Sequence, residues 1–223
     1  MSIAPGYTLV AIRPEQAAPL LQRFHRYGCG AKSRPATYGW GVLEGGELVA
    51  AYLWNPPHHG CAKAVCPSAP HGVLALSRMV ATPRDERKLN HVSKPLRRQL
   101  RVLIDRSRWP VLVTFSDEGL GHTGYVYKCS GWHPTARGTT RVYLDAEGNR
   151  VSRWADGKRA NLQATHSRNS PTQRWEHHAT DADDVAGWMQ ERGWFREPIP
   201  GKVWRSGRQA HRIVHRTINK ATP

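Results

Sequence analysis

The segment Val73–Trp132 reads VLALSRMVATPRDERKLNHVSKPLRRQLRVLIDRSRWPVLVTFSDEGLGHTGYVYKCSGW. Its apolar runs Val73–Val80 and Val111–Phe115 predict two strands. The apolar residues between them recur at positions i, i+4, i+7 and i+8, the spacing of one helix face: Leu96, Leu100, Leu103 and Ile104. A strand, a helix and a second strand form a βαβ unit, and such units carry their chemistry at the carboxyl ends of the strands.

Both predicted strands end in polar groups. Arg78 lies near the end of the first strand, where a charge is costly unless it is paired or functional. Ser116 and Asp117 end the second strand, and a glycine-rich turn containing His122 follows. The sequence therefore predicts a site between these two strand ends, with an Arg78–Asp117 ion pair as the purely structural alternative.

The remaining elements are predicted to support this unit. In chain order they are a strand at Tyr7–Ile12, a helix at Glu15–Tyr27, a hairpin formed by Tyr38–Leu43 and Glu47–Trp54, a long loop at Asn55–Pro70, a short helix within Gly121–Cys129, a strand at Arg141–Leu144, a helix at Ala182–Arg192 and an edge strand or hairpin at Trp194–Trp204. Ser93 is the expected N-cap of the central helix, because Pro95 suits only a first turn. Residues 145–180 are polar and predict a loose loop or a segment that orders on a partner.

These elements divide the chain into a core over residues 1–145, a polar basic insertion over 146–180, a closing helix and strand of the core over 181–207, and a basic arm over 208–223. In the arm, five basic residues recur at near-helical spacing: Arg205, Arg208, Arg212, Arg216 and Lys220. They predict either a helix with one basic stripe or a disordered basic terminus.

The charge predicts a polyanionic partner. The formal net charge is +16 and the sequence pI is about 10.4, with a basic excess in both residues 1–149 and 150–223. Nucleic acid is the expected partner, and a generally basic protein without a nucleic-acid ligand is the alternative. No signal peptide or membrane-spanning run is present, so a soluble, cytoplasmic protein with free cysteines is expected.

A metal is not expected. His58, His59, Cys61 and Cys66 form the one metal-like cluster, but their spacing matches no common zinc pattern.

The order of elements resembles the GNAT acyltransferase fold, which implies a mixed α/β (α+β) architecture with a largely antiparallel sheet flanked by helices. In that fold the two central strands splay apart around an acyl donor, and donor phosphates lie at the N-terminus of the following helix. GNAT enzymes usually carry a glycine-rich turn there, whereas Arg84–Ser93 contains no glycine. Ordinary acetyl-coenzyme A binding is therefore not implied.

A narrower resemblance is to the Mom family of phage DNA-modification proteins, as in phage Mu. The segments that carry it are His25 with Tyr27, Tyr38–Val42, Leu76–Arg78, Asn90 with Ser93, Val113–Asp117, Gly121–Lys128 and Gly131–Trp132. Arg196–Trp204 resembles the family's closing strand less specifically. The resemblance implies conversion of the adenine N6 amine in DNA to an N6-carbamoylmethyl (acetamido) amine, which protects phage DNA from host restriction. It also implies an acyl or glycyl donor of unknown identity; a homodimer is left open.

The residues have expected roles in that reaction, each with a structural alternative. Asp117 would accept an N6–H, or cap the next helix; Ser116 would hydrogen-bond beside it, or begin a turn. His122 would act as a base or phosphate contact, or make a structural hydrogen bond. Tyr127 would donate a proton or stack on the base, or simply pack; Arg78 completes this catalytic group.

Further residues are assigned to the donor and to DNA. The donor-side candidates are Asn90, Ser93, Met79 and Val80, of which Asn90 and Ser93 are also explained by helix capping. The DNA-side candidates are Tyr38, Trp40, Lys128, Trp132, Arg208, Arg212 and Arg216. Tyr38 and Trp40 could stack on an extruded base, but alternating strand aromatics more often belong to a core. Two other functions remain open: a conventional acetyl-coenzyme A-dependent N-acetyltransferase, and a non-catalytic DNA-binding protein on a GNAT scaffold.

Overall fold

An eight-stranded mixed sheet is the centre of the protein. This computed structural model describes residues 2–4, 6–25, 36–83, 90–148, 154–155, 158–159, 164–204, 207 and 209–217. The elements in chain order are β1 Ser2–Ala4, β2 Tyr7–Ala11, α1 Pro14–Phe24, β3 Tyr38–Glu44, β4 Glu47–Asn55, α2 His59–Val65, β5 Val73–Ala81, α3 Asn90–Arg106, β6 Val111–Asp117, α4 Tyr125–Cys129, β7 His133–Leu144, β8 Trp154–Ala155, β9 Lys158–Arg159, β10 His166–His178, α5 Val185–Gln190, β11 Trp194–Val203 and β12 Gln209–His215.

The sheet has the strand order β1-β2-β3-β4-β5-β6-β10-β7. Within its described strands, β5 and β6 are parallel and the other neighbours are antiparallel. The predicted class, a largely antiparallel mixed sheet flanked by helices, is confirmed.

The parallel pairing of β5 with β6 is short. It covers Val73–Ala75 opposite Val111–Val113 and then stops, although both strands continue. At the point of separation the Thr114 hydroxyl donates to the Leu76 carbonyl oxygen at 3.1 Å. The two strands therefore diverge toward their carboxyl ends, where the sequence predicts the site.

Helix α3 covers one face of the sheet. Leu96, Leu100 and Leu103 are buried against Trp54, as the apolar spacing predicts. The Trp54 indole N–H donates to Gln99 Oε1 at 2.9 Å, which satisfies one polar atom of this buried amide. The opposite face is covered by α1 over β4 and by α2 and α5 over the start of β5 and β6.

Several predicted element bounds are wrong. The central helix begins at Asn90, so Ser93 lies in its first turn and is not the N-cap, and Pro95 is inside the helix. The predicted loop Asn55–Pro70 contains α2, because Ala62, Val65 and Cys66 bury one helix face against α5.

The largest correction concerns residues 145–180. His166–His178 forms β10, which pairs with β6 on one side and with β7 on the other. Much of this strand is exposed, and its buried Glu176 is paired, with Arg174 at 2.6 Å and His178 at 2.7 Å. Hydropathy therefore fails to reveal an internal strand of the sheet, which lies next to the edge strand β7.

The C-terminal region is only partly as predicted, since the strand expected at Trp194–Trp204 is present as β11. Trp194–Val203 pairs with Gln209–His215 in a separate two-stranded sheet, so the expected closing strand does not join the main sheet. For residues 209–215 both predicted alternatives, a helix with one basic stripe and a disordered basic terminus, are wrong, because these residues form β12. Arg205, Arg208 and Lys220 lie outside the described residues.

His71 lies where this hairpin meets the body of the protein. Burial, together with the positive charges of Arg196, Arg108 and His211, lowers the pKa of His71 from 6.5 to about 4. Between these pH values the unfolded chain binds a proton that the folded chain does not, so stability falls as the pH falls.

We expect acidification from pH 6.5 to 4 to destabilise the wild type by about 1–2 kcal/mol more than the His71→Asn variant, a figure reduced for the partial exposure of the ring. Urea unfolding at a series of pH values measures this difference. His59→Asn, which changes an exposed histidine, should follow the wild type, and an identical pH dependence in His71→Asn would contradict the prediction.

Two further findings concern membrane-spanning helices and thiols. No helix in the described ranges is long and apolar enough to cross a membrane. Cys61, Cys66 and Cys129 are free thiols, and Cys29 lies outside the described residues.

Candidate active site

A pocket of about 370 Å³ lies where β5 and β6 diverge. Its walls come from the ends of both strands, the turn after β6, the start of α4, and His25 after α1. Five predicted site residues line it: Arg78, Met79, Asp117, His122 and Tyr127. The structure thus brings together most of the predicted catalytic group.

A bulge in β5 sets the direction of Arg78. Leu53 of β4 pairs with Arg78 and the next residue, Trp54, pairs with Leu76, so Ser77 is an additional residue in β5. The Ser77 hydroxyl donates to the Leu53 carbonyl oxygen at 2.9 Å and accepts from Asn55 Nδ2 at 2.8 Å. Bulges commonly redirect a side chain beside a functional site, and this one places Arg78 in the pocket wall.

The Arg78 guanidinium is only partly satisfied. Its Nη1 donates to the Ser77 carbonyl oxygen at 2.8 Å. Its Nε is buried and has no hydrogen-bond partner among the described residues. A buried donor of this kind favours a bound acceptor, such as a carbonyl or an anionic oxygen.

Asp117 is the last residue of β6 and is buried. The Ser170 hydroxyl of β10 donates to Asp117 Oδ1 at 2.5 Å, a contact that ties the carboxylate to the neighbouring strand. Asp117 precedes a 3₁₀ helix at Glu118–Leu120, but its side chain makes no capping hydrogen bond there. The capping alternative is therefore not supported.

The turn after Asp117 depends on glycine. Gly121 and Gly124 both adopt left-handed backbone conformations, with φ of 75° and 70°. A Cβ on Gly124 would lie 2.1 Å from Trp175 Cζ2, so the start of α4 approaches the Trp175 ring too closely for any side chain. The turn also places the exposed ring of His122 at the edge of the pocket.

Tyr127 is the buried aromatic of the pocket. Its ring packs against Trp132 and Trp175, each with a centroid distance of 6.0 Å. Burial raises the pKa of Tyr127, and a hydrogen bond with Thr114 only partly opposes this. The phenol consequently keeps its proton at neutral pH and can donate it, but cannot act as a base there.

Two pocket residues were missed as candidates. Phe115 and Tyr125 are 48% and 59% exposed, and both line the pocket. The available signal was their position, since each aromatic lies within the motif that contains Asp117 and His122. An exposed aromatic beside a catalytic motif favours a flat, apolar substrate surface.

The aromatics chosen for base stacking lie elsewhere. Tyr38 and Trp40 stack on each other at 5.7 Å and pack against the main core. The Tyr38 hydroxyl also contacts the Trp109 indole N–H at 3.3 Å. Both residues are therefore aromatics that pack on the core, which was the alternative to base stacking, and neither lines the pocket.

Two other predicted site residues are core residues. Trp132 is 2% exposed and stacks on Trp54 at 6.2 Å, so its predicted contact with DNA is not supported. Val80 is buried against α1, so its predicted contact with the donor is not supported either.

Ser116 is buried behind the pocket. Its hydroxyl accepts from the Trp175 indole N–H at 2.9 Å. The Ser116 hydroxyl therefore positions the Trp175 ring. Neither predicted role of Ser116, a hydrogen bond to the substrate or the start of a turn, is supported.

The remaining candidates lie around the pocket or far from it. The Ser93 carbonyl oxygen in α3 accepts from the Ser130 hydroxyl at 3.2 Å, and Lys128 is exposed on α4. Asn90 begins α3, but its side chain is outside the described part of the structure, as is all of Arg208. Arg212 and Arg216 lie on the hairpin, where both contact Glu197.

A metal centre was not found in the described ranges. There, no group of three or more His, Cys, Asp or Glu side chains is arranged to hold a metal ion. In the predicted cluster, His58 Nδ1 instead accepts from the Gly60 backbone N–H at 3.2 Å.

Diverging parallel strands with a polar pocket between their ends define a GNAT-like acyltransferase fold. The ribosomal-protein-S18-alanine N-acetyltransferase from Escherichia coli has a TM-score of 0.51 at 11% identity, over 78% of this chain and 95% of its own. The spermidine N-acetyltransferase SpeG from Vibrio cholerae has a TM-score of 0.47 at 9% identity, over 82% of this chain and 97% of its own. A comparison with curated protein sequences found no match.

The family follows from the sequence match. The model of the Mom protein family matches residues 6–188, a range that contains every described pocket residue. The chain belongs to the Mom family.

Proposed function

We propose that the protein is a transferase that converts the N6 amine of adenine in DNA to an N6-carbamoylmethyl (acetamido) amine. The observation that carries this proposal is the pocket between β5 and β6, where a buried carboxylate, a protonated phenol and two exposed aromatic rings meet. Membership of the Mom family and the basic charge of the chain support the same function.

Asp117 would act on the amine. The N6 lone pair of adenine is delocalised into the ring, so the amine is a weak nucleophile that must be held and relieved of its proton. The bond from Ser170 fixes the Asp117 carboxylate, which can accept a hydrogen bond from N6–H and then its proton. Tyr127 keeps its phenol proton and can donate it at its hydroxyl when a leaving group departs.

Phe115 and Tyr125 would hold the base. A base inside duplex DNA must leave the stack before an enzyme can reach N6, which costs a few kcal/mol. Stacking on aromatic side chains contributes about 1–3 kcal/mol per base and offsets this cost. Their exposure in the pocket wall supports an extruded purine between them and Asp117.

The residues present fit an acyl or glycyl donor. When bound, such a donor would supply a methylene carbon as the electrophile, because the product joins N6 to CH₂ and not to a carbonyl carbon; the N6–CH₂ bond would form as the bond from that carbon to the leaving group breaks. The buried Arg78 Nε can bind a carbonyl oxygen, and Met79 lines the same wall. In the described structure, β5 beyond Ala75 has no strand partner on the side of β6, which leaves its edge open to a ligand. Arg84–Leu89 lies outside the described residues.

Mass spectrometry of nucleosides tests the function. DNA from a bacterial host that expresses the protein should contain a deoxyadenosine that is heavier by one carbamoylmethyl group. This modified nucleoside should be absent from the same host with an empty vector. Unmodified nucleosides, combined with DNA-independent acetylation of free amines by acetyl-coenzyme A, would instead identify a conventional N-acetyltransferase. Salt-dependent DNA binding without any modified base would identify a non-catalytic protein.

A further inference from the structure

The β11–β12 hairpin is separate from both the sheet and the family match. Its two strands pair only with each other among the described strands. The Mom family model ends at residue 188, before β11 begins at Trp194. The match to the family model therefore does not extend to the hairpin, whose function needs an explanation of its own.

The base of the hairpin is anchored to the body of the protein. Trp194 and Ile213 pack against the apolar cluster that contains α2 and α5. The Arg216 backbone N–H donates to the Gly193 carbonyl oxygen at 2.8 Å, which closes the base. Farther out, Gln209 Nε2 donates to the carbonyl oxygens of Ile199 at 2.7 Å and Lys202 at 3.1 Å. These contacts tie the far end of β11 to the start of β12.

The hairpin carries a strong positive charge. Residues 194–216 contain six Lys or Arg residues and one acidic residue, Glu197. Arg212 contacts Glu197 at 3.8 Å, and Arg216 contacts it as well, so one carboxylate serves two guanidinium groups. Both arginines remain mostly exposed, and exposed ion pairs of this kind are weak. They stay available for a stronger anionic partner.

The far end of the hairpin exposes apolar surface. Val203 and Trp204 are 62% and 60% exposed and directly follow Lys202. In the described structure the other large exposed apolar residues are the two pocket aromatics, Phe115 and Tyr125. Exposed indole beside cationic side chains is the combination that nucleic-acid-binding surfaces use, with cations on phosphates and the ring on bases or sugars.

We propose that this hairpin binds duplex DNA, with its cations on the phosphates and with Val203 and Trp204 inserted into a groove. This inference rests on the proposed function and gives the DNA substrate a docking surface outside the pocket. Two-stranded ribbons fit DNA grooves, and apolar side chains wedged there unstack base steps.

Two substitutions separate the charge from the wedge. Binding of the full-length protein to a fluorescein-labelled 20-bp duplex is measured by fluorescence anisotropy at several salt concentrations. Lys202→Ala should reduce the slope of log K against log salt by about 0.9, because one phosphate contact is lost. Trp204→Ala should weaken binding about tenfold and leave the slope unchanged, because stacking is not electrostatic.

Arg101→Ala is the matched control. Arg101 is exposed on α3, which packs on the Leu74 and Leu112 face of the sheet, whereas the hairpin is anchored on the Val73 and Val111 face. This variant should keep the affinity and slope of the wild type. All three side chains are exposed, so thermal unfolding should be unchanged in each variant.

Two results would overturn the inference: wild-type affinity in both hairpin variants, or a dimer in sedimentation that Trp204→Ala converts to a monomer. Nucleoside analysis of the same variants separates the two proposals. Modified adenine with unaltered DNA binding rejects the hairpin interface alone. Weakened DNA binding in the hairpin variants, with no modified adenine from the wild type, rejects the proposed function alone.

Discussion

Replacing Asp117 by Asn is expected to lower the yield of modified adenosine by about 10²–10⁴-fold, the usual contribution of a positioned proton acceptor. Asn has nearly the same shape, and its oxygen can still accept from the Ser170 hydroxyl. One carboxylate oxygen is replaced by an NH₂ group, however, which cannot take a proton from N6–H. Nucleoside mass spectrometry of DNA from expressing cells measures the yield, and equilibrium unfolding verifies that the variant is folded.

Glu118→Gln is the control for this substitution. Glu118 is the adjacent residue and also an acid, but it makes an exposed contact with Arg137 at 3.6 Å and does not line the pocket. Its loss should leave the yield of modified adenosine unchanged. If Asp117→Asn yields as much modified adenosine as the wild type, Asp117 is not the proton acceptor.

The pocket could be predicted from the sequence because its residues are local to one βαβ unit. Arg78 lies near the end of one apolar run and Asp117 follows another; both runs predict strands, and the carboxyl ends of parallel neighbours meet at one edge of a sheet. His122 and Tyr127 follow Asp117 closely, so the turn carries them to the same edge. The local sequence pattern therefore predicts most of the arrangement of the residues that line the pocket.

The supporting residues could not be predicted, because they are distant in sequence. Ser170 binds Asp117 across 53 residues, and Trp175 binds Ser116 across 59. Both belong to β10, whose buried polar side chains hide the apolar alternation of a strand. In a sequence, Glu176 beside Arg174 and His178 predicts an exposed segment. The structure buries the Glu176 carboxylate and pairs it with both residues.

The C-terminal arginines were misread for a geometric reason. Residues four apart lie on one face of a helix, but an even spacing also places them on one face of a strand. Arg212 and Arg216 satisfy both patterns, and the structure places Arg212 in β12 and Arg216 directly after the end of that strand. The regular spacing of these arginines therefore does not distinguish a helix from a strand.

The second large effect concerns Gly124, where α4 begins. Gly124→Ala is expected to destabilise the protein by about 3 kcal/mol, from a left-handed backbone conformation and from overpacking. The new Cβ would lie 2.1 Å from Trp175 Cζ2 and 2.7 Å from its Nε1, so the ring must move. Moving it breaks the hydrogen bond to Ser116 and shifts Tyr127, which should also lower the yield of modified adenosine. Urea unfolding measures the loss of stability.

Gly121→Ala isolates the contribution of the backbone. Gly121 has nearly the same conformation, with φ of 75°, but nothing lies within 4 Å of the position of its Cβ. Its substitution should therefore cost only about 1–2 kcal/mol, the penalty of the left-handed conformation. The excess for Gly124→Ala then measures the contact with Trp175. Equal losses of stability in the two variants would mean that the Trp175 ring moves aside without a free-energy cost. In that case β10 does not hold the wall of the pocket in place.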